Sequence, residues 1–366
     1  MQGRGSRMSD KLEFRPVRPE DCDGIARLFS RLWSWEYPKD YWRQKFFDNP
    51  AGPPMSHLAL TADGGEIVGC MGGVPLRYRL NGTEGIGTLI VDVGVLPEYR
   101  KQRRTYWGVY KPTEADQYNR QTALVQAVAT PAAEIIALKM MHFDPLCHAP
   151  VYKRRITVRA MIPRRLREKL RPASKAGPTG KWMAAKYLRK AQSLCERHQF
   201  TIAESSELDD RFDRLWSQAD DQWPISLIRD SAFLKWRFHD HPTRKYIVWI
   251  ALRGGDLAGY CVTDTLRRDG VARGRISDLL VLPDAPEVAE ALLYHAMSYL
   301  CGGGADIIVG WFLPRRYWEP LLTKIGLRYR GDDRQIILRL FTAESIRPVI
   351  FDPENWYYTG ADTDQI

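Results

Sequence analysis

The chain has 366 residues, 44% hydrophobic and 27% charged, with 12 Trp and 17 Tyr, which suits two ordinary globular domains and excludes a disordered tract. No apolar run approaches the roughly 20 residues of a membrane helix, and the polar opening MQGRGSRMSDK lacks the apolar core of a secretory signal, so a cytoplasmic protein without membrane anchoring is expected. The formal charge of +10, from 54 basic against 44 acidic residues, favours polyanionic partners such as coenzyme phosphates, a nucleotide-linked substrate or RNA.

The predicted elements begin with a strand, LEFRPV from Leu12, and a helix announced by RPEDCDGIARLF, whose proline and acids suit a helix N-terminus. An aromatic helix follows around DYWRQKFF, then the hairpin strands HLALTADGGEIVGCMGGVPLRYRL and the strand GTLIVDVGVL. A helix from about Trp107 through Asn119, a strand TALVQAV, a helix from Ala132 to Met141 and a terminal strand near YKRRITVRA complete the first half. Between Lys153 and Arg189 the chain reads as a basic bridge, helical around PRRLREKL and loose around RPASKAGPTG. From Phe200 come SAFLKWRF, the strands KYIVWIAL and DLAGYCVTD, the strand RISDLLVL, the helix APEVAEALLYHAMSYLC, the strand ADIIVGWF, the helix RRYWEPLLTKI and the strand QIILRLF.

The second list repeats the first. GGEIVG at Gly64 returns as GGDLAG at Gly254, DVGVLPEY at Asp92 as DLLVLPDA at Asp278, and FFDNP ending at Pro50 as RFHDHP ending at Pro242, at offsets of about 190, 186 and 192 residues in the same order. Three echoes in register argue for a duplicated domain, with boundaries at 1–160, a basic linker and helix at 161–199, and 200–366. Interleaved strands and helices behind an antiparallel hairpin make an α/β (α+β) plan with a mixed sheet. No G-x-G-x-x-G opens a helix and no P-loop motif occurs, so dinucleotide and P-loop chemistry are excluded. The cysteines at 22, 70, 147, 195, 261 and 301 and the pairs His142/His148 and His239/His241 match no metal-ligand spacing, and no metal is expected.

With that element order and the stretch VDVGVLPEYRKQRRTYWG, the chain resembles the GCN5-related N-acetyltransferase (GNAT) superfamily in a tandem, duplicated arrangement. There a strand ending V-x-P-x-x-R enters a phosphate-binding loop, [RQ]-x-x-G-x-[GA], at the head of a long helix. The resemblance implies that backbone amides of this loop hold the coenzyme A pyrophosphate, because unpaired N–H groups and the helix dipole make an anion site. Val95, Pro97 and Arg100 fit the pattern; Arg103 stands where the first glycine belongs and Thr105 where the second small residue belongs. The implied acyl-coenzyme A contacts are Val93, Val95, Arg100, Lys101, Arg103, Arg104 and Thr105, with the cationic side chains compensating for the missing glycine. The tyrosine that often protonates the leaving thiolate is replaced by Leu322 in the second half and by Ala137 or Leu138 in the first. DLLVLPDAPEVAEAL has no arginine after its proline, so the second copy reads as eroded. The ending DPENWYYTGADTDQI resembles a W-Y-[FY]-T…D-x-D tail of bacterial tandem members.

Acyl transfer to an amine needs an acceptor for the amine proton. Asp92, on the strand leading to the phosphate loop, is the first candidate for general base; Glu84, at the start of the same strand region, and Asp278, the repeat counterpart of Asp92, are the others. Tyr294 and His295 read as ordinary helix residues. His142, Cys147 and His148 lack an orienting third group beyond Asp144. Trp35, Tyr37, Trp236 and Arg237 are candidates for lining an acceptor pocket, against core packing as the ordinary use of such aromatics. The expected function is transfer of an acyl group, acetyl or longer, from acyl-coenzyme A (acetyl-CoA or another acyl-CoA) to the amine of a small molecule such as an amino sugar or amino acid derivative. The alternatives are an aminoacyl-tRNA dependent transferase resembling the peptidoglycan-bridge ligases, with tRNA as partner, and a noncatalytic binding or scaffold protein.

Overall fold

The computed structural model describes residues 11–33, 36–63, 65–167 and 176–364. In the first half, β1 (Leu12–Pro16), β2 (His57–Thr61), β3 (Ile67–Leu80) and β4 (Thr83–Val95) pair antiparallel in that order. β5 (Leu124–Ala129) joins β4 in parallel. The helices of this half are α1 (Cys22–Leu32), α2 (Lys39–Phe47), α3 (Arg103–Asn119) and α4 (Pro131–Met140). α3 starts at Arg103, earlier than predicted, since nothing in RRTYWG opposes a helix. β6 (Asp144–His148) and β7 (Val151–Arg155) follow, then a short α5 (Arg164–Arg167). The rest of the PRRLREKL helix and most of the loose stretch predicted after it lie outside the described residues.

α6 (Pro178–His198) opens the remainder, burying Gly180, Met183, Tyr187 and Ala191 along one stripe of helical spacing. The second half then contains β8 (Thr201–Ser205), α7 (Asp210–Ala219), β9 (Ile225–Leu227), α8 (Ser231–Leu234, running into a π turn at Lys235–His239) and β10 (Ile247–Arg253). β11 (Asp256–Arg268), β12 (Val271–Val281), α9 (Pro286–Gly302), β13 (Ile307–Leu313), α10 (Arg315–Ile325), β14 (Arg328–Tyr329) and β15 (Gln335–Leu340) follow. The chain ends through α11 (Arg347–Ile350) and β16 (Trp356–Thr359). The predicted glycine turns form, with Gly65 at φ +63° and Gly254 and Gly255 at +61° and +96°, where a side chain would be strained.

The duplication extends to irregularities. The β3–β4 register shifts between Cys70 and Gly72, and the β11–β12 register shifts between Val262 and Thr263. Parallel pairing of β4 with β5 ends at Ile90 and Ala127, so β4 runs on to Val95 without that neighbour; pairing of β12 with β13 ends likewise at Ile276 and Gly310.

The two halves exchange their last strands. β7 leaves the first half and lies between β13 and β14, while β15 lies between β5 and β6. β16 fills a third junction, antiparallel to β13 and parallel to β9, and β9 pairs with β3. One continuous core results, with Trp42, Trp311, Trp318 and Trp356 fully buried.

Candidate active site

Asp92 sits in the β3–β4 bulge with φ +50°, a left-handed conformation that aspartate tolerates better than most residues. Its Oδ2 lies 2.5 Å from the Nζ of Lys45 on α2, and the same ammonium reaches Asp364 Oδ2 at 3.1 Å. The side chains of Lys45 and Asp92 are only 9% and 5% exposed. Burial, reinforced by Asp364, pushes Asp92 up to about 6 even though Lys45 pulls it down. Burial would lower the Lys45 ammonium, yet Asp92, Tyr41 and Asp364 around it hold it well above its usual range. One ammonium therefore faces two carboxylates, and one of them is poised to exchange a proton near neutral pH.

This centre closes a narrow cleft between the halves. Tyr41, Gln44 and Lys45 from α2 form one wall, Val74, Leu76 and Leu89 from β3 and β4 an apolar floor, and Trp236, Arg237 and His241 the facing wall. The walls are tied together: Trp236 Nε1 donates to the Gln44 carbonyl at 3.0 Å, and the Gln44 amide donates back to the Trp236 carbonyl.

The tail supplies the last side, through Ala361, Thr363 and Asp364. Its course is fixed by Arg229, which is fully buried and donates to Asp278 at 3.2 Å, to Thr359 at 3.3 Å and to Asp362. Asp278 also accepts from Tyr260 and Thr359, each at 2.7 Å. Burial lifts Asp362 to about 6 despite Arg229. From the first half, Gln126 Nε2 donates to the Asp362 carbonyl at 2.6 Å.

Beyond Ile90, β4 has β3 along one edge only, among the described residues. Val93 is 39% exposed there, whereas Val95 is buried. A short turn, Pro97–Tyr99, leads into α3, whose start at Gln102 has no side-chain cap. First-turn amides of an uncapped helix lack intrahelical partners and suit an anion. Arg100, Lys101, Arg103 and Arg104 are all exposed around it, with Arg100 Nε bonded to the Val95 carbonyl at 2.9 Å. Arg103 has ordinary helical backbone, so the position requires no glycine for its φ. Thr105 is buried and turns its hydroxyl to the Tyr99 carbonyl at 3.2 Å, holding the turn.

The structure thus brings Trp236 and Arg237 into the cleft wall, with Tyr37 stacked on Tyr41 behind it at 4.2 Å, and joins Asp92 to that cleft through Lys45, itself a lining residue. Trp35 lies outside the described residues. Glu84 is exposed at the far end of β4, eight residues or about 26 Å from Asp92. Asp278 is consumed by Arg229, Tyr260 and Thr359 and anchors the tail. Lys45, Gln44, His241 and Asp364 escaped sequence reasoning. Lys45 follows Tyr41 by one helical turn, and Asp364 ends the D-x-D of the tail, but neither spacing alone says that the two meet.

A bulged strand that parts from its parallel neighbour and feeds an uncapped helix, built twice in one chain, defines the duplicated GNAT fold. Residues 13–107 match the model of the family described as Acetyltransferase (GNAT) domain. No curated protein sequence matches the chain. Among solved structures it is similar to Saccharomyces cerevisiae N-myristoyltransferase with bound myristoyl-CoA, at 10% identity over 93% of this chain and 82% of that one, TM-score 0.61. It is also similar to GCN5-related N-acetyltransferases from Kribbella flavida (14% identity, 92% and 72% covered, TM-score 0.59) and Anabaena variabilis (12%, 91% and 73%, 0.58). The match to the family model covers about a quarter of the chain, and the likeness to these structures shows that the chain has the tandem fold they share. Among the described residues no helix is long and apolar enough to cross a membrane.

Proposed function

We propose that the chain is an acyl-coenzyme A dependent N-acyltransferase acting on an amine-bearing small molecule such as an amino sugar or amino acid derivative. The observation that carries this reading is the buried Lys45–Asp92–Asp364 set beside the strand that leads into the donor loop. In the reaction the amine nitrogen attacks the thioester carbonyl, a C–N bond replaces the C–S bond, and the sulfur leaves as thiolate. Asp92, held near 6, takes the proton the amine loses. The thiolate takes its proton from solvent, in keeping with leucine or alanine at the position where the superfamily often carries tyrosine. Arg100, Lys101, Arg103 and Arg104 surround the start of α3, where the coenzyme phosphates would meet backbone amides.

Calorimetric titration with acetyl-coenzyme A and longer acyl homologues tests this. One equivalent per chain should bind, and Arg100→Ala and Arg103→Ala should each weaken binding by about tenfold, the worth of a charge-assisted hydrogen bond. Absence of binding by every acyl-coenzyme A overturns the reading, and a tRNA association that falls steeply with salt would then point to the aminoacyl-tRNA dependent reaction.

A further inference from the structure

The basic bridge between the halves takes no part in the cleft. Its described parts, 153–167 and 178–190, hold seven and four Lys or Arg residues and no Asp or Glu. Both parts meet at one end of the second half, where α9 stops and β13 starts. The Ile156 and Thr157 amides donate to the Asp306 carbonyl at 2.8 and 3.2 Å, and Arg159 Nε donates to the Gly270 carbonyl at 2.7 Å, which pins the short helical turn Val158–Met161 there. α6 arrives at the same place: Gly180 packs so closely that a Cβ on it would lie 3.0 Å from the Cys301 carbonyl, and the Ala184 carbonyl accepts from Ser298 at 2.8 Å.

This end also exposes apolar surface. Six large apolar or aromatic side chains are more than half exposed among the described residues, and four of them, Val158, Met161, Leu166 and Trp182, stand here. Burial of Gly180, Met183, Tyr187 and Ala191 turns the opposite face of α6 outward, with Trp182, Lys186 and Arg189 on successive turns. Lys186 Nζ lies 5.2 Å from the Trp182 ring centroid, and Arg155, Arg165 and Lys181 are exposed as well. The acids nearby are engaged: Asp306 is buried and accepts from the Thr157 hydroxyl and the Ala272 amide at 2.5 and 2.9 Å, and Asp269 pairs with Arg268 at 3.9 Å.

Cations gathered on one side of a molecule draw an anionic surface. Aliphatic side chains find no partner on a phosphodiester backbone, whose contacts are polar and charged. At a bilayer interface they leave water, and tryptophan sits at headgroup level. A second copy of the chain would set like charges against each other. We propose that this end rests on an anionic lipid surface, with Val158, Met161, Leu166 and Trp182 entering the headgroup layer and the lysines and arginines around them facing lipid phosphates. Such a contact is peripheral and needs no spanning segment. It goes beyond acyl transfer and does not depend on it.

Co-sedimentation with lipid vesicles tests it, phosphatidylcholine alone against phosphatidylcholine with about one-third phosphatidylglycerol; the anionic vesicles should bind the chain at least about tenfold more tightly. Lys186→Ser, removing one cation, should weaken that binding about fivefold. Met161→Ser and Trp182→Ser leave the charge unchanged and should each weaken it about tenfold, because an apolar side chain no longer leaves water. All three positions are on the surface, and the wild-type comparison stands without the variants. Acyl-coenzyme A binding is read separately by calorimetry and has no bearing on the result. No sedimentation with anionic vesicles overturns the proposal. So does vesicle binding that Met161→Ser and Trp182→Ser leave intact, or tRNA binding that displaces the vesicles and is unaffected by both substitutions; either outcome marks a site for polyanions in general.

Discussion

Asp92→Asn keeps the shape of the side chain and removes its ability to take a proton, so the pH–rate profile reports its role. Because burial and Asp364 hold Asp92 at about 6, its base form fills as pH rises through that value. The acceptor amine must also be neutral, and an alkyl amine loses its proton only near about pH 10. The wild-type logarithm of kcat/KM should therefore climb with a slope of about two below pH 6 and about one above it. Asp92→Asn should show the slope of one throughout and lose about 10²–10⁴ in rate, or ~3–5 kcal/mol of barrier lowering. The neighbours fix the sign of two further shifts. Lys45 holds Asp92 down and Asp364 holds it up, so Lys45→Met should move the break to higher pH and Asp364→Asn to lower pH. Release of the coenzyme thiol, followed colorimetrically across the pH range, is the assay. An Asp92→Asn enzyme retaining more than about a tenth of wild-type kcat/KM with the break at 6 intact refutes the assignment.

Two other substitutions probe the surroundings. Arg229→Met leaves the fully buried Asp278 and Asp362 facing each other without their cation and should cost about 3–5 kcal/mol near neutral pH by urea denaturation. Asp362 is raised to about 6, so the stability linked to it is complete below about pH 4 and is lost as pH rises through 6; the deficit of the variant should accordingly shrink near pH 5, and equal deficits at both pH values would count against the network. Glu84→Gln, at the exposed far end of β4, should leave kcat/KM within about twofold in the same thiol assay, since a solvated charge at that range is screened.

Much of the fold was legible because hydrophobic period and turn chemistry are local. The strand ending at Val95, the helix beginning near it and the glycine turns at Gly65 and Gly254 follow from a few adjacent residues each. The strand exchange was not legible. YKRRITVRA and QIILRLF announce strands, but alternation specifies which face is buried, never which neighbour supplies the hydrogen bonds, so either half could have claimed either strand. Asp92 was singled out by its place on the strand that leads to the loop before α3, and Asp278 because an acid in an apolar strand is costly unless it is paired or functional; the structure pairs both, Asp92 with Lys45 and Asp278 with Arg229. Lys45 was hidden in an aromatic helix whose burial depends on contacts with residues some 190 and 320 positions away, Trp236 and Asp364.

The course of the tail sets the two halves apart. Where β12 parts from β13, the space corresponding to the open edge of β4 in the first copy is filled by β16 and by Gly360–Asp362: Thr359 pairs with Phe312, Tyr358 pairs with Leu313, and Thr359 bonds Asp278. A coenzyme arm cannot occupy a gap already taken by protein backbone, so arginine and glycine after Pro283 would have nothing to hold. The same docking carries the chain onward to place Asp364 against Lys45 of the first copy. The second copy is thus a bracket for the tail, held through the bonds of Arg229 to Asp278, Thr359 and Asp362. The two halves are therefore unequal for a single geometric reason: one splayed strand pair is open beside Asp92, and the other is closed by the segment that completes the centre there.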